Sequence, residues 1–549
     1  MMRMAGRTTQ ERGQMMVLAF TAIAVIAVLG GSLLNRGLDA HRETRIQQAE
    51  TDLLYGAEGA VEDAIAQFAT ALANFAVDAN VTRYPTAAGT VLNTAFTSGA
   101  TATTWIDEAE PAPRTVADPD GVSLFVKNYH ITTQVTHPAT ARTLRVHQVI
   151  ARRIIYTFQH AVFYDGDLEW LPGPDMTLTG RVHGNHDIYL GTHGILTVDS
   201  EYLRTAGNLY NRRKDAPGTP MAGVVQIKKA GSSPVQYPAM AGLDSDDATW
   251  TADSQTRWNG TVKSGVHGVT QRAVPVVGSI APGGFYDVNA DVHVVNGAIL
   301  QGGVALVQGT DIPPGTVTTV TTLYNQREGK TIKMTNLDLR KLAGYHDCDA
   351  DGDEEPCYPN HLPANGLLYA TRDDAPGTQQ PGIRLLRGSQ IYRAGGLTVV
   401  SNDPVYVQGH YNTVAKKPTA VIADAVQLLS NNWNDANSAA SINSRVATAT
   451  TINAAFIAGI KPTAGSQYSG GLENYPRLME KWTSVSLNIT GSFVSLWNSQ
   501  IATGNWVYGT QYTAPIRQWS YEASFSDGTT LPPFTPWAVE ITKGAWWKE

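Results

Sequence analysis

The densest chemistry in the chain lies in residues 346–357, His-Asp-Cys-Asp-Ala-Asp-Gly-Asp-Glu-Glu-Pro-Cys. Asp347, Asp349 and Asp351 alternate and are followed by Gly352, so their carboxylates can wrap one hard cation while the glycine makes the sharp turn. This is the first half of a Ca²⁺ loop. At the place where a bidentate Glu would close the shell stands Tyr358, so Glu355, or Asp353 through its side chain, has to complete it. The competing reading is a solvated acidic loop. The only cysteines, Cys348 and Cys357, bracket the same residues, and a disulfide between them would pin the loop and lower the cost of gathering its negative charges.

Such a bond persists outside the reducing cytoplasm, which makes the N-terminus decisive. Met15 to Leu34 is an uncharged apolar run, long enough at about 1.5 Å per residue to cross a hydrocarbon core of about 30 Å as a helix. Arg3, Arg7 and Arg12 precede it and mixed charges (Arg36, Asp39, Arg42, Glu43, Arg45) follow, which puts the short N-terminus in the cytoplasm and the rest outside. Three fates of this segment compete. It is a signal peptide cut near Gly30-Gly31-Ser32, an uncleaved signal anchor, or a helix retained after a cut between Gly13 and Gln14 that removes only a basic leader. The last is the layout of a type IV prepilin.

The stretch Gln47 to Phe68, QQAETDLLYGAEGAVEDAIAQF, resembles the N-terminal region of PilX-type minor pilins, where an Ala-Glu-Ala/Gly signature sits on a helix continuing straight out of the membrane. Leu18 stands where major pilins resemble one another in carrying a Glu, which argues against a major subunit. The resemblance implies other pilin subunits as partners through this helix, the inner membrane as its site before assembly, and a prepilin peptidase acting at Gly13 and Gln14. The blocks GRVHGNHDIYL, GGLTVVSNDPVYVQGHYNT and INAAFIAGI are similar to large bacterial pilus-assembly proteins with PilX-type N-termini, and imply placement in the pilus system without any chemistry.

Periodicity supports the helix independently. Ala49, Leu53, Ala57, Ala60, Val61, Ala64, Ile65, Phe68, Leu72 and Phe75 recur at three- and four-residue spacing and draw one stripe, expected to dock on the protein's own body in its distal half. Nearer the membrane, small side chains with Gly56 and Gly59 would allow close packing against other subunits.

Of 549 residues, most lie beyond the stalk, with a net charge of -7, 16% charged residues, 51 glycines and 28 prolines. No basic footprint for nucleic acid exists beyond Arg212-Arg213-Lys214. The fold class expected is α+β, mainly β: a basic leader (1–13), a transmembrane and stalk helix (14–77), a connector and pilin-like sheet (78–151), and a large β-rich extracytoplasmic body (152–549). Strand signals over 122–126, 129–135 and 144–151 predict an antiparallel sheet against the helix. Strand-turn units at 176–190, 291–307 and 397–409, with no crossover helix between them, predict a β-solenoid, and their irregular spacing keeps a β-sandwich open.

Other chemistry is thin. His183, His186 and His193 could ligate a metal but read as polar turn residues; Asp246-Asp247 and Glu354-Glu355 could serve a glycosidase but read as surface. Trp482, Trp497, Trp506, Trp519, Trp537, Trp546 and Trp547 could stack on sugars, with burial or subunit contact the competing role. No Gly-x-Ser-x-Gly elbow, His-Glu-x-x-His helix or P-loop is present. The expectation is a non-enzymatic, membrane-anchored, PilX-like minor pilin or pilus-assembly protein, on the pilus or cell surface, whose body serves assembly or surface contact. The alternatives are an anchored carbohydrate-active β-helix enzyme and a surface polymer-binding protein outside any filament.

Overall fold

The computed structural model describes residues 9–73, 92–97, 99–108, 113–117, 121–138, 141–219 and 221–549. A single helix, Thr9–Ala73, runs 65 residues, a length of about 98 Å at roughly 1.5 Å per residue. Its two halves live in different surroundings. Residues 13–48 are exposed throughout, including the apolar run from Met15 (76% exposed) to Leu34 (68%). From Ala49 one face is buried: Leu53, Ala57, Ala60, Val61, Ala64 and Ile65 pack on Tyr129, Ile131, Val135, Val146 and Ile150. Burying Leu53, Val61 and Ile65 contributes about 1.5–3 kcal/mol each, while the fully buried Ala57 and Ala64 let the helix lie close to the sheet. The stripe's members Phe68, Leu72 and Phe75 lie outside the residues whose side chains are described.

The helix rests on an antiparallel sheet ordered Leu92–Ala95, Thr101–Glu108, Ser123–His137, Arg142–Tyr156 and Trp537–Lys548, with Arg114–Ala117 also paired to Ser123–His137. Where separate strands are expected over 122–126 and 129–135, one strand runs through, because Lys127 and Asn128 stay in the ladder, paired with Arg152 and Ala151, instead of turning. The fifth strand arrives from the C-terminus, far from its neighbours in sequence. Gly56 corrects its expected role: a side chain there would meet Phe96 at 3.4 Å and Val135 at 3.6 Å, so the glycine serves the protein's own sheet, and Gly59 faces Phe96 as well.

Of the two architectures left open for the body, the structure is the solenoid. Val162–Tyr164, Val182–Gly184, Leu203–Thr205 and Val262–Lys263 stack in parallel. Leu168–Trp170, Ile188–Leu190 and Leu209–Tyr210 form a second ladder, and Met176–Thr179, Ile195–Asp199 and Val224–Ile227 a third. Val162 pairs with Val182 and Val182 with Leu203, so the coils advance regularly until a long excursion, carrying the helix Trp250–Trp258, precedes Val262. A second arm stacks Val292–Val295, Leu367–Thr371, Leu397–Val400, Thr419–Ala423, Thr450–Ala458 and Ser486–Ser495 in one parallel ladder. Lys330–Asp338, Gln379–Leu386, Val405–Gln408, Val426–Leu429 and Arg477–Leu478 form the other. Buried on both faces, strands such as Thr419–Ala423 (TAVIA) read as continuous apolar runs.

The arms meet where Phe493, Val494 and Ser495 pair in parallel with Val162, Phe163 and Tyr164, fusing both into one 13-stranded sheet. The chain therefore enters its solenoid in the middle, runs to one end, crosses to the other and coils back to where it began. One apolar core extends through both arms, and a second covers the opposite face of the shared sheet with Ile280, Tyr286 and Phe525.

Beside this seam, Gly491 leaves no room for a side chain, since a Cβ would sit 1.8 Å from the Ala454 carbonyl oxygen. Gly491→Ala is expected to force the last two coils apart and destabilise the body by about 3 kcal/mol or more. Gly377→Ala, with nothing within 4 Å of the added carbon, is expected to leave the melting temperature unchanged. Thermal unfolding of the two variants checks this; equal melting temperatures would contradict the close approach of the last two coils.

Candidate functional site

The acidic loop is held from both sides. Asp338 caps the short helix Leu339–Leu342, its Oδ1 accepting from the amides of Arg340 (3.1 Å) and Lys341 (3.0 Å). Tyr345–His346 then pairs with Glu355–Pro356 as a minimal hairpin, and Cys348 is bonded to Cys357, with Cα atoms 6.5 Å apart. Inside, each carboxylate is aimed by a backbone amide. Asp347 Oδ2 accepts from Gly352 (3.1 Å), Asp349 Oδ1 from Asp351 (3.3 Å), Asp351 Oδ1 from Asp353 (2.9 Å) and Glu355 Oε1 from Cys348 (2.8 Å). The turn needs left-handed backbone at Gly352, φ +97°.

Carboxylate oxygens of Asp347, Asp349, Asp351 and Glu355 lie within 4.8 Å of one another. Around a cation with bonds of about 2.3–2.6 Å, any two ligands are at most roughly 5 Å apart, so the spacing and the hard oxygen donors suit Ca²⁺. Asp347 Oδ1 is buried with no hydrogen-bond partner among the described residues, an acceptor left for such a group. Asp353 stands outside this grouping. Glu354 faces away: burial pushes its carboxyl up, but Arg387 (2.6 Å) and Arg340 (3.0 Å) outweigh that and hold it below the usual range.

On the helix, Gly13 and Gln14 lie exposed near its N-terminal end, and the run that follows is long and apolar enough to cross a membrane. Where the helix meets the sheet, Glu50 pairs with Arg142 and Glu62 with Lys543.

The remaining candidates are scattered through the fold. His183 is fully buried on a strand beside Asn185 (3.2 Å), and burial together with the nearby Arg272 lowers its imidazole well below its ordinary value. His186 and His193 are exposed and join it in no metal-like grouping among the described residues. Asp246 pairs with Arg212 (2.6 Å), and Asp247 Oδ2 accepts from the Asp244 amide (2.9 Å). Trp482 and Trp519 are core residues, Trp497, Trp506 and Trp537 are half-buried, and Trp546 and Trp547 are exposed on the stalk sheet.

No protein-family model matches the chain, and no curated protein matches its sequence. Among solved structures, the competence-associated pilin ComZ from Thermus thermophilus is similar over 91% of this chain and 97% of that chain, at 10% identity and a TM-score of 0.25. A likeness that slight carries no argument about fold or function.

Sequence reasoning missed a set of buried carboxylates at the solenoid's corners. Asp424 accepts from the amides of Ile501 (3.1 Å) and Ala502 (2.8 Å), Glu480 from the amide (2.7 Å) and hydroxyl (2.6 Å) of Ser430, and Asp403 from the amide of Arg372 (2.7 Å). Only the Asn402-Asp403-Pro404 turn signal hints at one of them. Burial pushes Asp403, Glu473 and Glu480 up to about 7. Each then binds its proton more tightly folded than unfolded, so its stabilising contribution is complete below about pH 4 and is lost as pH rises through 7. The melting temperature is expected to fall between pH 5 and pH 8, each group contributing on the order of a few kcal/mol, and Glu480→Gln is expected to flatten the slope. A melting temperature rising across that interval would contradict this.

Proposed function

We propose that this chain is a PilX-like minor pilin or pilus-assembly subunit, with its short N-terminus in the cytoplasm and its body outside. The observation that carries the reading is one helix whose exposed apolar half continues without a break into a half docked on the protein's own sheet. An uncovered apolar surface of that length needs lipid or other helices around it. Processing between Gly13 and Gln14 by a prepilin peptidase would leave that surface intact, anchoring the protein in the inner membrane and then packing it among the helices of other subunits. A solenoid this bulky repeats poorly along a thin fibre, which favours a low-copy subunit working in assembly or surface contact. In the same reading Asp347, Asp349, Asp351 and Glu355 hold Ca²⁺, the Cys348–Cys357 bond keeping them gathered.

Mass spectrometry of sheared surface fibres is expected to recover a peptide beginning at Gln14. An intact Met1 confined to the membrane fraction, or a mature start beyond Leu34, would sink the filament role. For the loop, calorimetric titration of the full chain is expected to show one Ca²⁺ bound in the roughly 0.1–1 mM range of extracellular modules, weakened at least about tenfold by Asp351→Asn and by disulfide reduction. Unchanged titrations of the variant would return the loop to solvated surface.

A further inference from the structure

At the seam the corner loops of the first coil face the long loops of the last, and between them lies a cleft of ≈ 500 Å³, within the roughly 300–1,000 Å³ of small-ligand sites. One wall is aromatic and held rigidly. The Trp506 Nε1–H donates to the Tyr512 hydroxyl (3.1 Å), Tyr508 stands at 88° to Tyr512 with centroids 5.6 Å apart, and Tyr468 stands at 82° to Trp506 at 5.2 Å. Tyr508 is 54% exposed and presents its ring to whatever enters. The floor is polar and buried. Glu473, 3% exposed, accepts from the Tyr468 hydroxyl (2.8 Å) and the Leu171 amide (3.1 Å), and Arg517 Nε–H donates to the Glu473 carbonyl (3.0 Å).

Asn474 lines the cleft as well. It is 7% exposed and its Nδ2 donates to the Gly470 carbonyl (2.6 Å), while its Oδ1 is sealed from solvent and has no hydrogen-bond partner among the described residues. Asn474 also lines a chamber of ≈ 20 Å³ together with Glu169, whose Oε2 is likewise buried and has no hydrogen-bond partner among the described residues. That chamber has room for about one water. A buried acceptor without a donor costs about 1–3 kcal/mol, so a water in that chamber is the donor these oxygens call for, and the polar groups left to face the cleft are those of its lining arginines and tyrosines.

We propose that this seam cleft binds a short pyranose oligosaccharide. Sugar rings carry apolar C–H faces for the Trp506 and Tyr508 rings, and closely spaced hydroxyls for the Arg213 and Arg517 guanidinium groups and the tyrosine hydroxyls that line the cleft. A protein partner is the weaker match. The same aromatic and arginine composition suits protein contacts, but a typical interface covers about 800 Å² per partner, and this site is a single cleft of ≈ 500 Å³. Among the described residues lining the cleft Glu473 is the one carboxylate, already engaged by two donors, which fits binding better than the two-acid arrangement of glycoside hydrolysis. The inference concerns the body alone and stands whether or not the helix enters a filament.

The full chain, in a detergent without a sugar headgroup, is to be screened on a glycan array covering neutral and acidic oligosaccharides, and any hit measured by calorimetry. Binding is expected, weakened about tenfold by Tyr508→Ala, whose exposed side chain can be removed without disturbing the core, and by Trp506→Ala, with Trp546→Ala on the stalk sheet as an unaffected control. No glycan bound, or a hit indifferent to Tyr508→Ala, overturns the proposal. So does capture of a peptide from a display library that depends on Tyr508 when no glycan does.

Discussion

Everything in this body hangs on the parallel pairing of Phe493–Ser495 with Val162–Tyr164. Beside it the Ser492 hydroxyl donates to the His160 carbonyl across 332 residues of sequence. Without that pairing each arm would present a flat, open ladder edge at its inner end, the surface on which sheets aggregate. With it, two incomplete solenoids become one sheet with a shared core. Loop closure grows only slowly in cost with chain length, so the long return is thermodynamically cheap, although such non-local pairing makes for slow folding. The seam also fixes the C-terminal strand, which leaves the last coil and returns to the stalk sheet beside Arg142–Tyr156.

The buried carboxylates follow from the same geometry. A solenoid turns corners, and each corner leaves backbone amides pointing inward with no strand to bond them. Asp403, Asp424 and Glu480 accept those amides and tie one coil's corner to a loop of another. Their partners are dipoles more than full charges, so burial wins over stabilisation of the anion and their affinity for protons rises. At the seam two unlike sets of corner loops face each other, and the aromatic cleft lies between them.

The parts legible in the sequence were those with a local period or a fixed spacing. The apolar run and the stripe from Leu53 to Ile65 follow the helical repeat, and Asp347, Asp349, Asp351 and Gly352 follow the turn of a cation loop, so both were visible without neighbours. The solenoid showed only as strands and turns, because its regular coils in the first arm are broken by the excursion before Val262 and by the uneven connections of the second arm. The seam and the C-terminal strand had no local signature at all, since pairing between distant segments is decided by which edges remain open. Gly56 misled for a related reason: a small residue on a helix marks close approach, and says nothing of whether the neighbour belongs to the same chain.

The link between helix and body is better suited to carrying load than a flexible tether would be. The exposed ion pairs Glu50–Arg142 and Glu62–Lys543 contribute little in water, so the apolar stripe on Tyr129, Ile131 and Ile150 holds the helix to the sheet. From that sheet two strands lead into the body side by side. Tyr156 is paired with Trp537, and the Thr157 amide donates to the Pro536 carbonyl (3.0 Å), within a few residues of the seam strand that begins at Val162. A pull on the helix therefore reaches the solenoid through two adjacent connections at once. It arrives at the place where the arms are joined, instead of peeling a single coil from one end.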